Sequence, residues 1–241
     1  AKTLIEAAYD AGELDLETAL LLQLQSLRDP DQLPAQYRQV HTRPLCGTPQ
    51  LLQALQAAPH FGPDYRRRLG KLVQRRPSRQ QQYRSPAGHF LLHYDTSGSE
   101  AVPAEDADGN GIPDYIDLAA TILDSTWLLE IDGLGYDPPP SDNGLNGDEY
   151  DVYFSDLGRG AAYGYTYPEQ GGNTTYSYLE LDNDFTNPVY QQTRGHDALR
   201  VTIAHEFHHA VQFGYYQGND GVWWQESVSY THLTLPTIRS V

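Results

Sequence analysis

The chain has 241 residues, 39% of them apolar, and a formal net charge of −16 at neutral pH; a sizeable core can be buried, and no run approaches the roughly 18 apolar residues of a membrane span. The charge is unevenly placed, with 12 Lys/Arg and 8 Asp/Glu in residues 1–84 but 4 and 24 in residues 85–241. So acidic a C-terminal part excludes a nucleic-acid-binding surface, which needs a basic face, and the two parts are expected to attract one another.

Residues 3–28 read as one or two helices, because Leu14, Leu16, Ala19, Leu20, Leu22, Leu24 and Leu27 form a broad apolar face until Asp29-Pro30 breaks the run. Residues 30–48 read as irregular. Short helices are expected near 49–57 and 63–75, the second opening at Pro63. The basic, Gln-rich, Pro-broken stretch 74–88 is expected to be a linker. This divides the chain into an N-terminal pro-like helical segment with its linker (1–84), a main domain (85–227) and a tail (228–241). In the main domain, HFLLHYD (89–95), YDVYFSDL (150–157) and TTYSYLELD (174–182) read as strands. Residues 112–131 and 196–216 read as amphipathic helices, so the order of elements predicts an α+β fold.

The second of these helices carries His205-Glu206-Phe207-His208-His209. Residues four apart on a helix lie one above the other, so His205 and His209 can present two imidazoles to one ion. Zn²⁺ suits such a pair and keeps an open position for water. Glu206, beside the first ligand, is placed to act on that water as general base and then acid. His208 points roughly a quarter turn away and reads as a supporting or surface histidine. For a third ligand, Gln212 and Tyr215 stand where a downstream Gly and His would complete one class of such sites. Glu226, 17 residues past His209, is the favoured candidate, and Asp220 competes from a Gly- and Asn-rich turn.

The stretch HDALRVTIAHEFHHAVQFGYY followed by WWQES resembles the secreted bacterial zinc metalloproteases of gluzincin type found in myxobacteria and related bacteria. HFLLHYDTSG, NGIPDY, YDVYFSDLG and SYLELDND extend the resemblance over about 89–227, and AAYDAGELDLETALLL is similar to that family's N-terminal segment. The resemblance implies a zincin-like domain, its sheet packed on the active-site helix. It also implies a secreted endopeptidase acting on a protein or peptide, with zinc on His205, His209 and Glu226. An alternative expectation is a calcium-stabilised extracellular binding module whose zinc site is vestigial.

Two further features stand out. Asp106 to Asp117 form a twelve-residue acidic loop with oxygen ligands at the spacing of a structural Ca²⁺ site: Asp106, Asp108, Asn110, the Ile112 carbonyl, Asp114 and Asp117, with Gly111 at the turn. Asp117 stands where such loops often have Glu. Arg43-Pro44-Leu45-Cys46-Gly47-Thr48-Pro49 holds the one cysteine, which is either an inert buried thiol or a group that reaches the zinc as a pro-segment docks. Finally, the N-terminus has no Met or leader pattern, which suggests a processed or partial chain. The last 14 residues, VSYTHLTLPTIRSV, resemble translated adapter sequence and are expected to be non-native.

Overall fold

The computed structural model describes residues 3–38, 46–73, 76–145, 147–171 and 174–215. Its centre is a mixed sheet of five strands: β1 (Gln81–Arg84), β2 (Phe90–Tyr94), β3 (Tyr150–Ser155), β4 (Gly164–Gly171) and β5 (Thr174–Asp182). The spatial order is β1-β2-β3-β5-β4. The central β2, β3 and β5 run parallel, and the edge strands β1 and β4 run antiparallel to their neighbours. The α+β expectation therefore holds at the level of a mixed α/β fold built on this sheet.

Period-two alternation sorts the strand residues onto two buried faces. Phe90, Leu92, Val152, Phe154, Leu179 and Leu181 point into one core. There they meet α5 (Asp114–Trp127) and α6 (Gly195–Tyr215), whose Ile116, Ala120, Leu123, Leu199, Ile203 and Phe207 fill the layer. The rings of Phe90 and Phe207 stand edge to face at 5.3 Å between centroids. Burying an aromatic or aliphatic side chain of this size contributes about 1.5–3 kcal/mol.

The opposite face is tyrosine-rich, with Tyr153, Tyr165, Tyr167 and Tyr178 turned toward the N-terminal helices. Those helices are α2 (Leu16–Arg28), α3 (Thr48–Ala57) and α4 (Pro63–Leu72), and their Leu21, Leu24, Leu27, Leu51, Tyr65 and Leu69 complete this second core. A short α1 (Leu4–Asp10) packs outside them, closed at its start by a reciprocal Thr3–Glu6 capping box. The contact is close: a Cβ on Gly160 would fall 1.6 Å from the Leu27 carbonyl oxygen.

Three sequence expectations change. The described part of the 74–88 stretch is not a free linker: β1 pairs with β2, and Arg76 is nearly buried among Asp142, Asp151 and Glu169. The boundary expected at 84/85 therefore carries no break in packing. The helix read as 112–131 is α-helical over Asp114–Trp127 and continues as a wider π-helical turn, Leu128–Gly133. Residues 30–38 hold two short 3₁₀ turns, Pro30–Gln32 and Ala35–Tyr37. The tail at 228–241 lies outside the described residues.

One ion pair ties the N-terminal helices to the sheet. Arg28 Nη1 lies 2.7 Å from Glu180 Oε2, with side chains 8% and 4% exposed, and Tyr167 OH beside it. Burial pushes the Glu180 pKa up, but the Arg28 charge together with hydrogen bonds from Ser155, Arg28 and Tyr167 holds the carboxyl below its ordinary value. A depressed carboxylate stabilises the fold above its unfolded value near 4.5 and loses that contribution as pH falls through the lower folded value. Glu180→Gln strands a buried guanidinium and is expected to cost about 3–5 kcal/mol at neutral pH. The penalty should shrink on acidification below pH 4.5, as chemical denaturation across pH will test.

Candidate metal centre

Helix α6 buries its apolar stripe against β5 and the core-facing side chains of the neighbouring strands, Leu199, Ile203, Phe207, Ala210 and Val211 all being fully or nearly fully buried. The same helical spacing turns His205 and His209 to an adjoining side. Their Nε2 atoms lie 3.2 Å apart with the rings perpendicular. Two nitrogens on one tetrahedral zinc, each about 2.05 Å from the metal, are separated by about 3.3 Å. His209 Nδ1 lies 3.1 Å from the Gln212 side-chain oxygen and donates to it. That fixes the proton on Nδ1 and leaves the Nε2 lone pair for a metal.

Cys46 Sγ lies 3.7 Å from His209 Nε2. Cys46, His205 and His209 form a group whose ligand atoms all fall within 4.8 Å of one another. A sulfur and a nitrogen on one tetrahedral zinc are separated by about 3.6 Å. The donor set thus fits zinc in both chemistry and spacing.

Glu206 is fully buried. Its Oε2 accepts from Thr48 Oγ1 at 2.9 Å and lies 2.8 Å from Thr166 Oγ1, while Oε1 has no hydrogen-bond partner among the described residues. One carboxylate oxygen is thereby oriented and the other is left for chemistry. Edge strand β4 approaches α6 here because residue 164 is glycine. A Cβ at that position would lie 2.9 Å from Thr202 Cγ2, 3.0 Å from Glu206 Cγ and 3.2 Å from the Glu180 carbonyl oxygen.

The structure separates the remaining candidates. His208 is buried on another side of α6, its Nδ1 3.1 Å from Glu130 Oε2 on the π-helical turn, and takes no part in the metal group. Glu226 and Asp220 lie outside the described residues. In the acidic loop, Asp106, Asp108 and Asp114 bring carboxylate oxygens within 4.8 Å of one another. Asn110 joins them through its amide nitrogen, 3.2 Å from Asp108 and 2.9 Å from Asp117. Its own oxygen instead accepts from Ile112 N–H at 2.7 Å. Asp117 is thus linked to the group only through Asn110, and the Ile112 carbonyl is not brought into it by any hydrogen bond among the described residues. Gly109 and Gly111 turn the loop with φ of 70° and 87°, conformations that favour glycine.

Thr48, Thr166, Gly164 and Gln212 were not expected from the HExxH pattern. A readable signal exists for β4: Tyr165 and Tyr167 alternate with Thr166, and Pro168 marks an edge strand, since it has no N–H for a ladder. No protein-family model, curated protein or solved structure matches the chain.

Gly164→Ala is expected to push β4 from α6 and lower stability by about 1–3 kcal/mol. Gly70→Ala in α4, where an added Cβ meets nothing within 4 Å, should instead gain about 0.5–1 kcal/mol. Thermal unfolding of both variants checks the contrast.

Proposed function

We propose that the chain is a zinc-dependent endopeptidase with a zincin-like catalytic domain, acting outside the cell on protein or peptide substrates. The observation that carries this reading is the adjacency of a metal-competent imidazole pair and a buried carboxylate with one uncommitted oxygen. His205 and His209 are two of the zinc ligands, and Glu226 is proposed as the third. Zinc held there supplies a Lewis acid that polarises a substrate carbonyl and lowers the pKa of a bound water toward about 7.

The chain's own groups do the rest. Glu206 Oε1 accepts a proton from the attacking water and delivers it to the departing amine. Thr166 fixes the other oxygen so that this one keeps its aim. Gln212 holds His209 in the tautomer that binds metal. β4 is an edge strand along the centre, and an extended peptide binds an uncovered strand edge through main-chain hydrogen bonds. The absence of any helix long and apolar enough to cross a membrane among the described residues is compatible with this reading. The resemblance to secreted metalloproteases and the acidic C-terminal part support secretion. The acidic loop at the start of α5 is proposed to take a structural Ca²⁺ through Asp106, Asp108 and Asp114, with Asn110, Ile112 and Asp117 as the remaining positions of the pattern.

Three measurements check these assignments. Metal analysis should find about one zinc per chain, lost in His205→Ala and His209→Ala and weakened in Glu226→Ala. Glu206→Gln should keep the zinc while hydrolysis of an unfolded protein such as casein falls by about 10²–10⁴-fold; folded, zinc-loaded full chain with no peptidase activity, in the parent and in Cys46→Ser alike, rejects the protease reading. Calcium at about 100 times its Kd should add about 2.7 kcal/mol to stability. That gain should vanish in a variant combining Asp106→Asn with Asp108→Asn.

A further inference from the structure

The stretch Cys46–Thr48 meets the candidate centre at three points, each of a different kind. Cys46 brings its sulfur into the group of metal-binding atoms formed with His205 and His209. Gly47 N–H donates to the Gly164 carbonyl oxygen of edge strand β4 at 3.0 Å. Thr48 Oγ1 accepts from Thr166 N–H at 2.8 Å and donates to Glu206 Oε2 at 2.9 Å. Gly164 and Thr166 are alternate residues of β4, so these contacts occupy the strand's outer edge, where an added peptide would form its main-chain bonds.

The seat is shaped for this stretch. A Cβ on Gly47 would fall 1.9 Å from Cε1 of Tyr165, a fully buried ring with no room to withdraw. Gly47 has an ordinary φ of −85°, so closeness to that ring, not backbone conformation, demands glycine here. Thr48 also begins α3, whose Leu51 and Ala54 are anchored in the core shared with the sheet. The contact is thereby held by a helix on one side of the stretch.

We infer that Cys46–Thr48 is a built-in inhibitor of the centre: Cys46 ligates the metal at His205 and His209, Gly47 takes the place of substrate backbone on β4, and Thr48 engages the general base. This rests on the zinc-peptidase reading and adds the regulation of that site. On binding, the Cys46 thiol gives its proton to solvent and the sulfur forms the metal bond in the position otherwise open to water. Activity requires Cys46–Thr48 to leave β4, which frees the metal position, the strand edge and Glu206 together.

The test uses the full chain, prepared without metal and titrated with Co²⁺ or Zn²⁺. Cobalt binding should produce a thiolate-to-cobalt charge-transfer band in the near ultraviolet. That band should be missing in Cys46→Ser, which still binds the ion. Zinc should slow the reaction of Cys46 with a disulfide reagent by about tenfold or more, and a chelator should restore it. Cys46→Ser and Thr48→Val should each hydrolyse casein faster than the parent chain. Gly47→Ala, by expelling the stretch, should restore thiol reactivity in the presence of zinc. The inference is overturned if cobalt binds in a manner lost in His205→Ala, yet no thiolate band forms and the thiol reacts equally with and without metal. A chain that binds neither ion overturns the zinc reading itself, and this inference with it.

Discussion

A fully buried carboxylate, Glu206 on α6, is the constraint around which the structure is arranged. An isolated ionised side chain in a protein interior costs several kcal/mol after relaxation unless hydrogen bonds or an opposite charge offset it. Glu206 is in that position, and its surroundings are polar only where they must be. Thr166 comes from the edge strand, Thr48 from the start of α3, and the imidazoles of His205 and His209 flank the carboxylate on its own helix. The approach of β4 that delivers Thr166 depends in turn on Gly164, since any side chain there meets Glu206 itself. The helix can be buried because α3 and β4 bring hydroxyl partners to this carboxylate.

What could be read from the sequence follows from how local each signal is. The juxtaposition of His205 and His209 was legible because four-residue spacing on a helix decides which side chains share a face, whatever packs around them. β2, β3 and β5 were legible because their apolar runs and alternation are strong. β1 was not: QQYR has one apolar residue, and it is a strand only because it covers the edge of β2. β4 was missed for a related reason. Its alternation joins tyrosine to threonine rather than apolar to charged residues, because both of its faces are covered, by α6 on one side and the N-terminal helices on the other.

The roles of Thr48 and Cys46 belong to tertiary structure, whereas Gln212 sits three residues from His209 on one helix. Thr48 lies 158 residues from Glu206 in the chain and Cys46 lies 163 from His209. Nothing in the local pattern could register the first pair. The second was raised only as one of two readings of a single cysteine, and the placement of its sulfur beside two imidazoles favours the metal-facing one. The acidic loop was partly legible: the carboxylates at positions 1, 3 and 9 converge, while Asn110 uses its oxygen to hold the turn. A side chain that can cap its own backbone often does so before it serves a ligand.

The charge asymmetry of the chain has a structural counterpart at the interface between its two parts. Arg28 meets Glu180, Arg76 meets Asp142, Asp151 and Glu169, and Arg79 meets Asp95 and Glu100. These guanidinium groups are 8–10% exposed, so they act as buried pairs, unlike the exposed Arg84–Glu149 contact. Removing the N-terminal helices would strand Glu180 and bare the tyrosine face of the sheet. Covering that face and blocking the metal centre are therefore separable tasks. The leucines of α2 to α4 do the first through a shared core, whereas Cys46–Thr48 does the second through three polar contacts at the sheet edge. Displacing those three residues costs their polar contacts, which water or a substrate backbone can replace, together with the burial of Gly47 and Thr48 at the start of α3. Displacing the helices costs a core that nothing else in the described chain supplies.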